Sequence, residues 1–279
     1  MHTPPALSIL IPAHDEEALI GRCLGALLEQ DGTAPALQVV VVPNGCRDGT
    51  AAAARALAPR FAARGWSLEV VEIPGGGKTG ALNAGEAAAR HGARAYLDAD
   101  VTLDPGLTGQ IARALDTAAP RYATGRLAVA PARTWVTRAY ARAWTRLPFV
   151  TGGTVGAGFF ALNAAGRARW GAWPAIISDD TFARLQFAPG ERIEVPARYH
   201  WPMVEGLGNL VRVRRRQDAG VAELRRLHPA LDRNAGKAPL TPGALLRLAA
   251  AAPLGLAVYL AVHLAVRLRP AGPDWTRGR

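Results

Sequence analysis

The sequence predicts an α/β fold, a mostly parallel sheet with helices on both faces. Two observations carry this. Short apolar runs alternate with segments of helical periodicity through the first hundred residues. The polar irregularities of that half all fall where the apolar runs end. Parallel strands put their carboxyl ends on one edge, and ligands of such sheets bind there.

In order, Leu7 to Ile11 reads as a strand ending at Pro12. His14 to Gln30 is helical, with Leu19, Ile20, Cys23, Leu24, Leu27 and Leu28 on one face. Gln38 to Val42 is a β-branched strand, and Thr50 to Arg64 an alanine-rich helix. Leu68 to Ile73 is a third strand and Lys78 to His91 a third helix, after the loop Gly75-Gly76-Gly77. Ala93 to Leu97 is the fourth strand. Beyond it the pattern is looser. Pro105 to Thr117 and Arg133 to Arg146 look helical, and Arg121 to Ala130 extended. A glycine-rich stretch, Thr151 to Gly158, leads into the apolar Phe159 to Leu162, and Ser178-Asp179-Asp180 precedes a short helix, Thr181 to Phe187.

Hydrophobic content of 49% over 279 residues is enough for a substantial core. Two cysteines, Cys23 and Cys46, suggest no disulfide framework and so a reducing compartment. No basic and then apolar leader precedes the first strand, so no signal peptide is expected. A net charge of +11 implies affinity for anions. Arg212, Arg214, Arg215 and Arg216 cluster without interleaved aromatics, which favours an anionic surface over nucleic acid. The run from Leu248 to Val266 holds no Asp, Glu, Lys or Arg and a single histidine, His263. It is long enough to cross a bilayer, or to pack as a buried or interfacial helix.

Carboxylates end three strands. Asp98-Ala99-Asp100 follows the fourth, a hard-oxygen pair suited to Mg²⁺ or Mn²⁺. Asp15, Glu16 and Glu17 follow the first and Asp48 the second. Each has a bland reading: a turn, a helix cap, or a dipole partner. Gly75-Gly76-Gly77-Lys78-Thr79 is not a P-loop, because Glu72 stands where that motif needs its first glycine. No G-x-G-x-x-G follows the first strand, which argues against a conventional NAD or FAD site.

Taken in order, six segments resemble the family 2 glycosyltransferases of the GT-A fold, over about residues 7 to 217. They are Ile11-Pro12-Ala13-His14-Asp15-Glu16-Glu17, Asn44-Gly45-Cys46-Arg47-Asp48-Gly49-Thr50, Lys78-Thr79-Gly80-Ala81-Leu82-Asn83, Asp98-Ala99-Asp100, Gly156-Ala157-Gly158-Phe159 and Ser178-Asp179-Asp180. His14 stands where the family usually has Asn, and Cys46 where it usually has Ser. Only Val213-Arg214-Arg215-Arg216-Gln217 occupies the region of the processive members' Gln-x-x-Arg-Trp motif, which speaks against polymer synthesis.

The resemblance implies a GT-A domain over 1–240, with a nucleotide-binding half (1–100) and an acceptor-side half (101–240). A hydrophobic helix over 244–268, membrane-associated or transmembrane, and a tail over 269–279 would follow. It implies a nucleotide-diphosphate sugar donor. Asp15 or Glu16, with Asp48, would contact base and ribose, and Lys78 would lie near the nucleotide. Asp98 would stay close to ribose and metal, and Asp100 would hold Mg²⁺ or Mn²⁺ on the diphosphate. Pro12, His14, Asn44, Asn83, Gly156, Gly158, Arg215 and Arg216 complete the implied substrate-binding set. Asp179 and Asp180 are the candidate bases of an inverting transfer, the last acid, Asp180, being the family's usual one. The acceptor is unidentified, a membrane lipid or a glycan, and the expected location is the cytoplasmic face of the cell membrane, single-pass or peripheral. Two other readings stay open: a nucleotidyltransferase making an activated sugar, and a non-catalytic membrane-attached relative.

Overall fold

The computed structural model describes residues 4–236 and 239–268. The first half alternates as expected: β1 (Leu7–Ala13), α1 (Glu17–Leu28), β2 (Leu37–Pro43), α2 (Thr50–Arg55), α3 (Ala58–Ala63), β3 (Ser67–Val70), α4 (Gly77–Ala88) and β4 (Ala93–Leu97). The second half holds β5 (Thr102–Leu103), α5 (Leu107–Leu115), β6 (Tyr122–Val129), α6 (Trp135–Trp144), α7 (Pro148–Thr151), β7 (Phe159–Leu162), α8 (Ala164–Arg167), α9 (Asp179–Leu185), β8 (Arg192–Trp201) and α10 (Leu207–Leu227). Two C-terminal helices follow, α11 (Pro242–Ala251) and α12 (Pro253–Leu268).

All eight strands join one sheet in the order β3-β2-β1-β4-β7-β6-β8-β5. The β3-β2-β1-β4 half is parallel. The other half is mixed: β7 runs antiparallel to β4 and β6, β8 parallel to β6, and β5 antiparallel to β8. Alternation along the central strands supplies both faces of the core. Ile9, Ile11, Val39 and Val41 meet Ile20, Leu24 and Leu27 of α1 and Ile111 of α5. Leu10, Val40 and Val42 meet Leu82 of α4, with Tyr96, Phe160 and Phe182 beyond.

Four expectations need correction. The helix expected over Thr50 to Arg64 is two, because Pro59 sits in the first turn of α3 and has no N–H to continue α2. The strand expected to Ile73 pairs regularly only to Val70, and Ile73 returns in a single bridge to Asn44. β8 and α10 were not expected at all. β8 carries Arg, Glu, Pro and His among its apolar residues, and α10 buries only Leu210, Gly220 and Leu224, so neither shows a clean period. Finally, the stretch 244–268 is not one helix: α11 and α12 meet at a bend of 119°. Ala252 precedes Pro253 and takes a non-helical conformation (φ −150°, ψ 61°), as the clash with the proline ring demands. Among the described residues no single helix is long and apolar enough to cross a membrane, although the bent pair passes by length and composition. The tail 269–279 lies outside the described residues.

Asn163 ties the end of β7 to the start of β6. Its buried amide donates to the carbonyls of Thr117 and Ala119 (2.8 and 2.7 Å) and accepts from the N–H groups of Arg121 and Gly166 (both 2.9 Å). Asn163→Ala should therefore cost about 2–4 kcal/mol in urea unfolding, since buried polar groups lose their partners together. A loss under about 0.5 kcal/mol would show that water replaces them.

Candidate active site

The carboxyl ends of β1, β2 and β4 and the loop before α4 share one edge. Around the Lys78 side chain a narrow crevice is lined by Pro12, Lys78, Asp98, Gly158, Asp179 and Asp180. Tyr96 and Phe160 form an apolar wall of the same crevice. These two were missed in the sequence. The signal was there, because strand alternation puts Tyr96 on the same side of β4 as Asp98.

Lys78 is the hub. It stands in the first turn of α4, after Gly76 and Gly77, whose φ values of +121° and +67° turn the chain into the helix. Its ammonium lies 2.8 Å from Asp98 Oδ1 and 3.1 Å from Asp179 Oδ2. Burial works against that charge, but the carboxylates of Asp179, Asp98 and Asp180 outweigh it and hold Lys78 above its ordinary pKa. Asp179 is buried, and burial pushes its carboxyl up to about 6. Lys78 opposes that rise, while Asp180 and Asp98 add to it.

Asp98 is held by its backbone: its N–H donates to the Gly158 carbonyl at 2.9 Å. Gly158 has φ +78°, and a Cβ there would lie 2.8 Å from Trp201 Cδ1 and 2.9 Å from Val101 Cγ2. Gly156 packs as tightly, on the Tyr122 hydroxyl. Both expected binding glycines thus shape the site by close packing. Asp100 follows Asp98 in the same turn, and its charge acts with those of Asp98 and Glu16 on the buried Cys23 thiol, which burial above all pushes up. Asp98 and Asp100 offer carboxylate oxygens, the donor set that hard Mg²⁺ or Mn²⁺ prefers. The Lys78 ammonium seated on Asp98 shows that this point favours a cation.

Asp179 and Asp180 open α9. Asp180 is more exposed than Asp179, and its Oδ1 accepts from the Thr181 N–H at 2.6 Å. The loop that carries them rests on α10: Glu223 accepts from the Ile177 N–H at 2.8 Å, and a Cβ on Gly220 would strike Ser178 Oγ. Arg216 lies one turn before Gly220 on that helix and is exposed. Arg215 is elsewhere, donating to the Ala265 carbonyl of α12 at 2.8 Å.

The loops after β1 and β2 are stapled together. The Arg47 N–H donates to Asp15 Oδ1 at 2.7 Å, and the Glu16 N–H to Thr50 Oγ1 at 2.8 Å. Asp48 accepts from the Thr50 hydroxyl and from the N–H groups of Glu17 and Thr50, the latter two at 3.1 Å; against the effect of burial these bonds, the hydroxyl's above all, draw its pKa down. His14 donates through Nδ1 to the Asn44 carbonyl at 2.5 Å. Asn44 Oδ1 is a buried acceptor with no hydrogen-bond partner among the described residues. Asn83, expected at the substrate, instead clamps the backbone of Trp173 from both sides, at 3.1 and 2.7 Å.

The family model described as glycosyl transferase family 2 matches residues 8–167. The chain belongs to glycosyl transferase family 2. Among solved structures, the mannosyltransferase PcManGT from Pyrobaculum calidifontis, in complex with GDP-Man and Mn²⁺, is similar at 23% identity and a TM-score of 0.58, over 98% of this chain and 78% of that one. TarS 1–349 from S. aureus, in complex with UDP, is similar at 14% identity and a TM-score of 0.52, over 76% and 64%. Glucosyl-3-phosphoglycerate synthase from Mycobacterium tuberculosis, in complex with phosphoglyceric acid, reaches 19% and 0.50, over 80% and 79%. This family 2 chain spans only 37% of another S. aureus TarS structure that it matches. No curated protein matches it. At these identities the structural likeness shows the fold, which is GT-A.

The raised Asp179 pKa makes a stability prediction for this family member. A carboxyl at about 6 when folded, against an ordinary 3.8, binds its proton more tightly in the folded state. Its stabilising contribution is full below the ordinary value and is lost as pH rises through the folded one. From about pH 4 to about pH 8 the wild type should lose up to about 3 kcal/mol relative to Asp179→Asn. Urea unfolding of both proteins across that range checks it, and parallel curves would refute the perturbed carboxyl.

Proposed function

We propose that this chain is an inverting glycosyltransferase that moves a sugar from a nucleotide-diphosphate sugar to an acceptor hydroxyl. The single observation that carries the reading is the Lys78 ammonium shared by Asp98 and Asp179, with Asp180 beside them in the crevice. Donor-side and acceptor-side carboxylates meet there around one positive charge. In the complexes named above, PcManGT holds GDP-Man and Mn²⁺, and TarS holds UDP. That supports a nucleotide-sugar donor here.

Asp98 and Asp100 are the residues to hold Mg²⁺ or Mn²⁺. Such an ion neutralises the charge that builds on a diphosphate leaving group. Lys78 keeps its proton and offers a second positive charge to the same phosphates. Asp180 acts as general base. Its Oδ1 is taken by the Thr181 N–H, so the acceptor's proton goes to Oδ2. As it leaves, the acceptor oxygen bonds the anomeric carbon and the bond to phosphate breaks on the opposite face, which inverts the centre. Asp179, buried and paired with Lys78, positions that ammonium. A nucleotidyltransferase is the weaker reading, because its glycine-rich signature normally follows the first strand and Pro12-Ala13-His14-Asp15 stands there.

The acceptor belongs to the membrane on this proposal. Leu260, Leu264 and Leu268 recur every fourth residue on the exposed side of α12, and Leu246 of α11 and Leu254 of α12 are exposed as well. The opposite side packs on α6, with Gly255 against the Ala139 carbonyl. Arg247 and Arg267 are exposed on the same helices. Apolar contact plus arginine suits an anionic lipid surface. The reading is peripheral attachment at the cytoplasmic face, by a bent pair lying on the bilayer.

Asp180→Asn should lower turnover by ~10²–10⁴-fold while leaving donor binding unchanged, the usual scale of general base catalysis. Nucleoside diphosphate release against a panel of nucleotide sugars with Mn²⁺, beside equilibrium binding, separates the two. Retained turnover in Asp180→Asn would reassign the base, and a product with the donor's own anomeric configuration would reject inversion. Asp100→Ala should abolish the divalent stimulation with the fold intact by circular dichroism. The pair Leu260→Ser and Leu264→Ser should reduce co-sedimentation with anionic phospholipid vesicles several-fold. Equal sedimentation of variant and wild type would remove the membrane from this reading.

A further inference from the structure

His14 and Cys46 lie together in space although 32 residues separate them. With Asp15 they form a cluster in which one ligand atom from each residue falls within 4.8 Å of the others. The geometry points to a binding site for a soft divalent transition metal such as Zn²⁺, formed by His14, Asp15 and Cys46.

The donor set decides the class. Imidazole, thiolate and a single carboxylate suit Zn²⁺, whereas the all-oxygen pair Asp98 and Asp100 suits Mg²⁺ or Mn²⁺. Nδ1 donates to the Asn44 carbonyl at 2.5 Å, so in the neutral ring Nε2 is the nitrogen that can take a metal. A backbone carbonyl behind the ring is the usual outer-shell partner of a metal-bound histidine.

The other two side chains are also held from the opposite loop. The Asp15 N–H donates to Cys46 Sγ at 3.3 Å, and Asp15 Oδ1 accepts from the Arg47 N–H at 2.7 Å. Asp15 sits at φ +50° and Gly45 at φ +59°, left-handed conformations that turn the two loops toward each other. All three residues are half-buried, which leaves an approach from solvent. A tetrahedral ion with bonds of about 2.0–2.3 Å holds its ligands roughly 3.5 Å apart, so the cluster closes by about 1 Å. Side-chain rotation covers that. Cys46 binds as thiolate: its S–H proton, which now points to the Ala13 carbonyl at 3.6 Å, passes to solvent as the S–metal bond forms. Three protein ligands leave the fourth position to water.

Titration of the full chain with Co²⁺ under reducing conditions, without nucleotide, tests the site. A thiolate-to-cobalt band should appear in the near ultraviolet and be displaced by Zn²⁺ but not by Mg²⁺. Cys46→Ser should abolish the band, while Cys23→Ser, which changes the buried cysteine beneath Asp98, should keep it. His14→Asn should weaken Co²⁺ binding at least ~10-fold. Circular dichroism confirms that each variant is folded. A wild type with no band, a band that survives Cys46→Ser, or unchanged affinity in folded His14→Asn would overturn the assignment. If the donor reading above also holds, Zn²⁺ weakens nucleotide binding in the wild type and not in Cys46→Ser. The cobalt spectrum is read without nucleotide, so the metal site stands or falls independently of the donor.

Discussion

Two halves of this molecule meet at one ammonium group. Asp98 ends a strand of the parallel half, and Asp179 begins a helix of the mixed half. A carboxylate as buried as Asp179 is costly when unpaired, by several kcal/mol. Lys78 offsets that cost and links, at the site, the two halves that β4 and β7 join in one sheet. It also keeps a positive charge where the leaving group of a nucleotide sugar would need it. Structural and chemical demands therefore coincide on one side chain, and neither half is complete without the other.

Around that point the strand edge is organised by backbone rather than by bulky side chains. The Gly158 carbonyl holds the Asp98 N–H, and Gly76 and Gly77 turn the chain so that Lys78 enters α4. The loops after β1 and β2 bind one another through main-chain donors to Asp15, Asp48 and Thr50. Backbone donors of this kind leave side chains to face a ligand. They also bring His14, Asp15 and Cys46 close enough to act as a group. A hard-oxygen pair and a mixed nitrogen, oxygen and sulfur cluster thus occupy the same edge, and differences in donor chemistry keep their preferences apart.

The C-terminal helices follow a different logic. α12 is apolar on nearly every side, which in water calls for cover all round. Only one side is covered, by α6 and α10, where Val258 and Val262 join Tyr140 and Leu210 in a third core cluster. The other side keeps its leucines exposed beside arginines. This surface hangs on the same helix, α10, that supports the Ser178 to Asp180 loop. The site and the apolar face share a scaffold.

Much of this was legible in the sequence, and the limit falls along a physical line. Local pattern determined the four parallel strands, the helices between them, and the strand-end positions of Asp15, Asp48 and Asp98, because apolar period and chain direction are local properties. The ordered motifs carried the family. Tertiary structure alone decided which residues meet. Nothing local says that Lys78 spans 20 residues to Asp98 and 101 to Asp179, or that Asn83 spends its amide on Trp173. Nothing local separates Arg215, which turns away to α12, from Arg216 beside it. β8 and α10 escaped for a related reason: each buries few residues, and what stabilises them is pairing with β6 and packing on the acid loop, contacts made by segments distant in sequence. The run 248–266 shows the converse. Its composition was visible, but whether it stays straight was settled by Pro253 together with the shape of α6 against which the chain folds back.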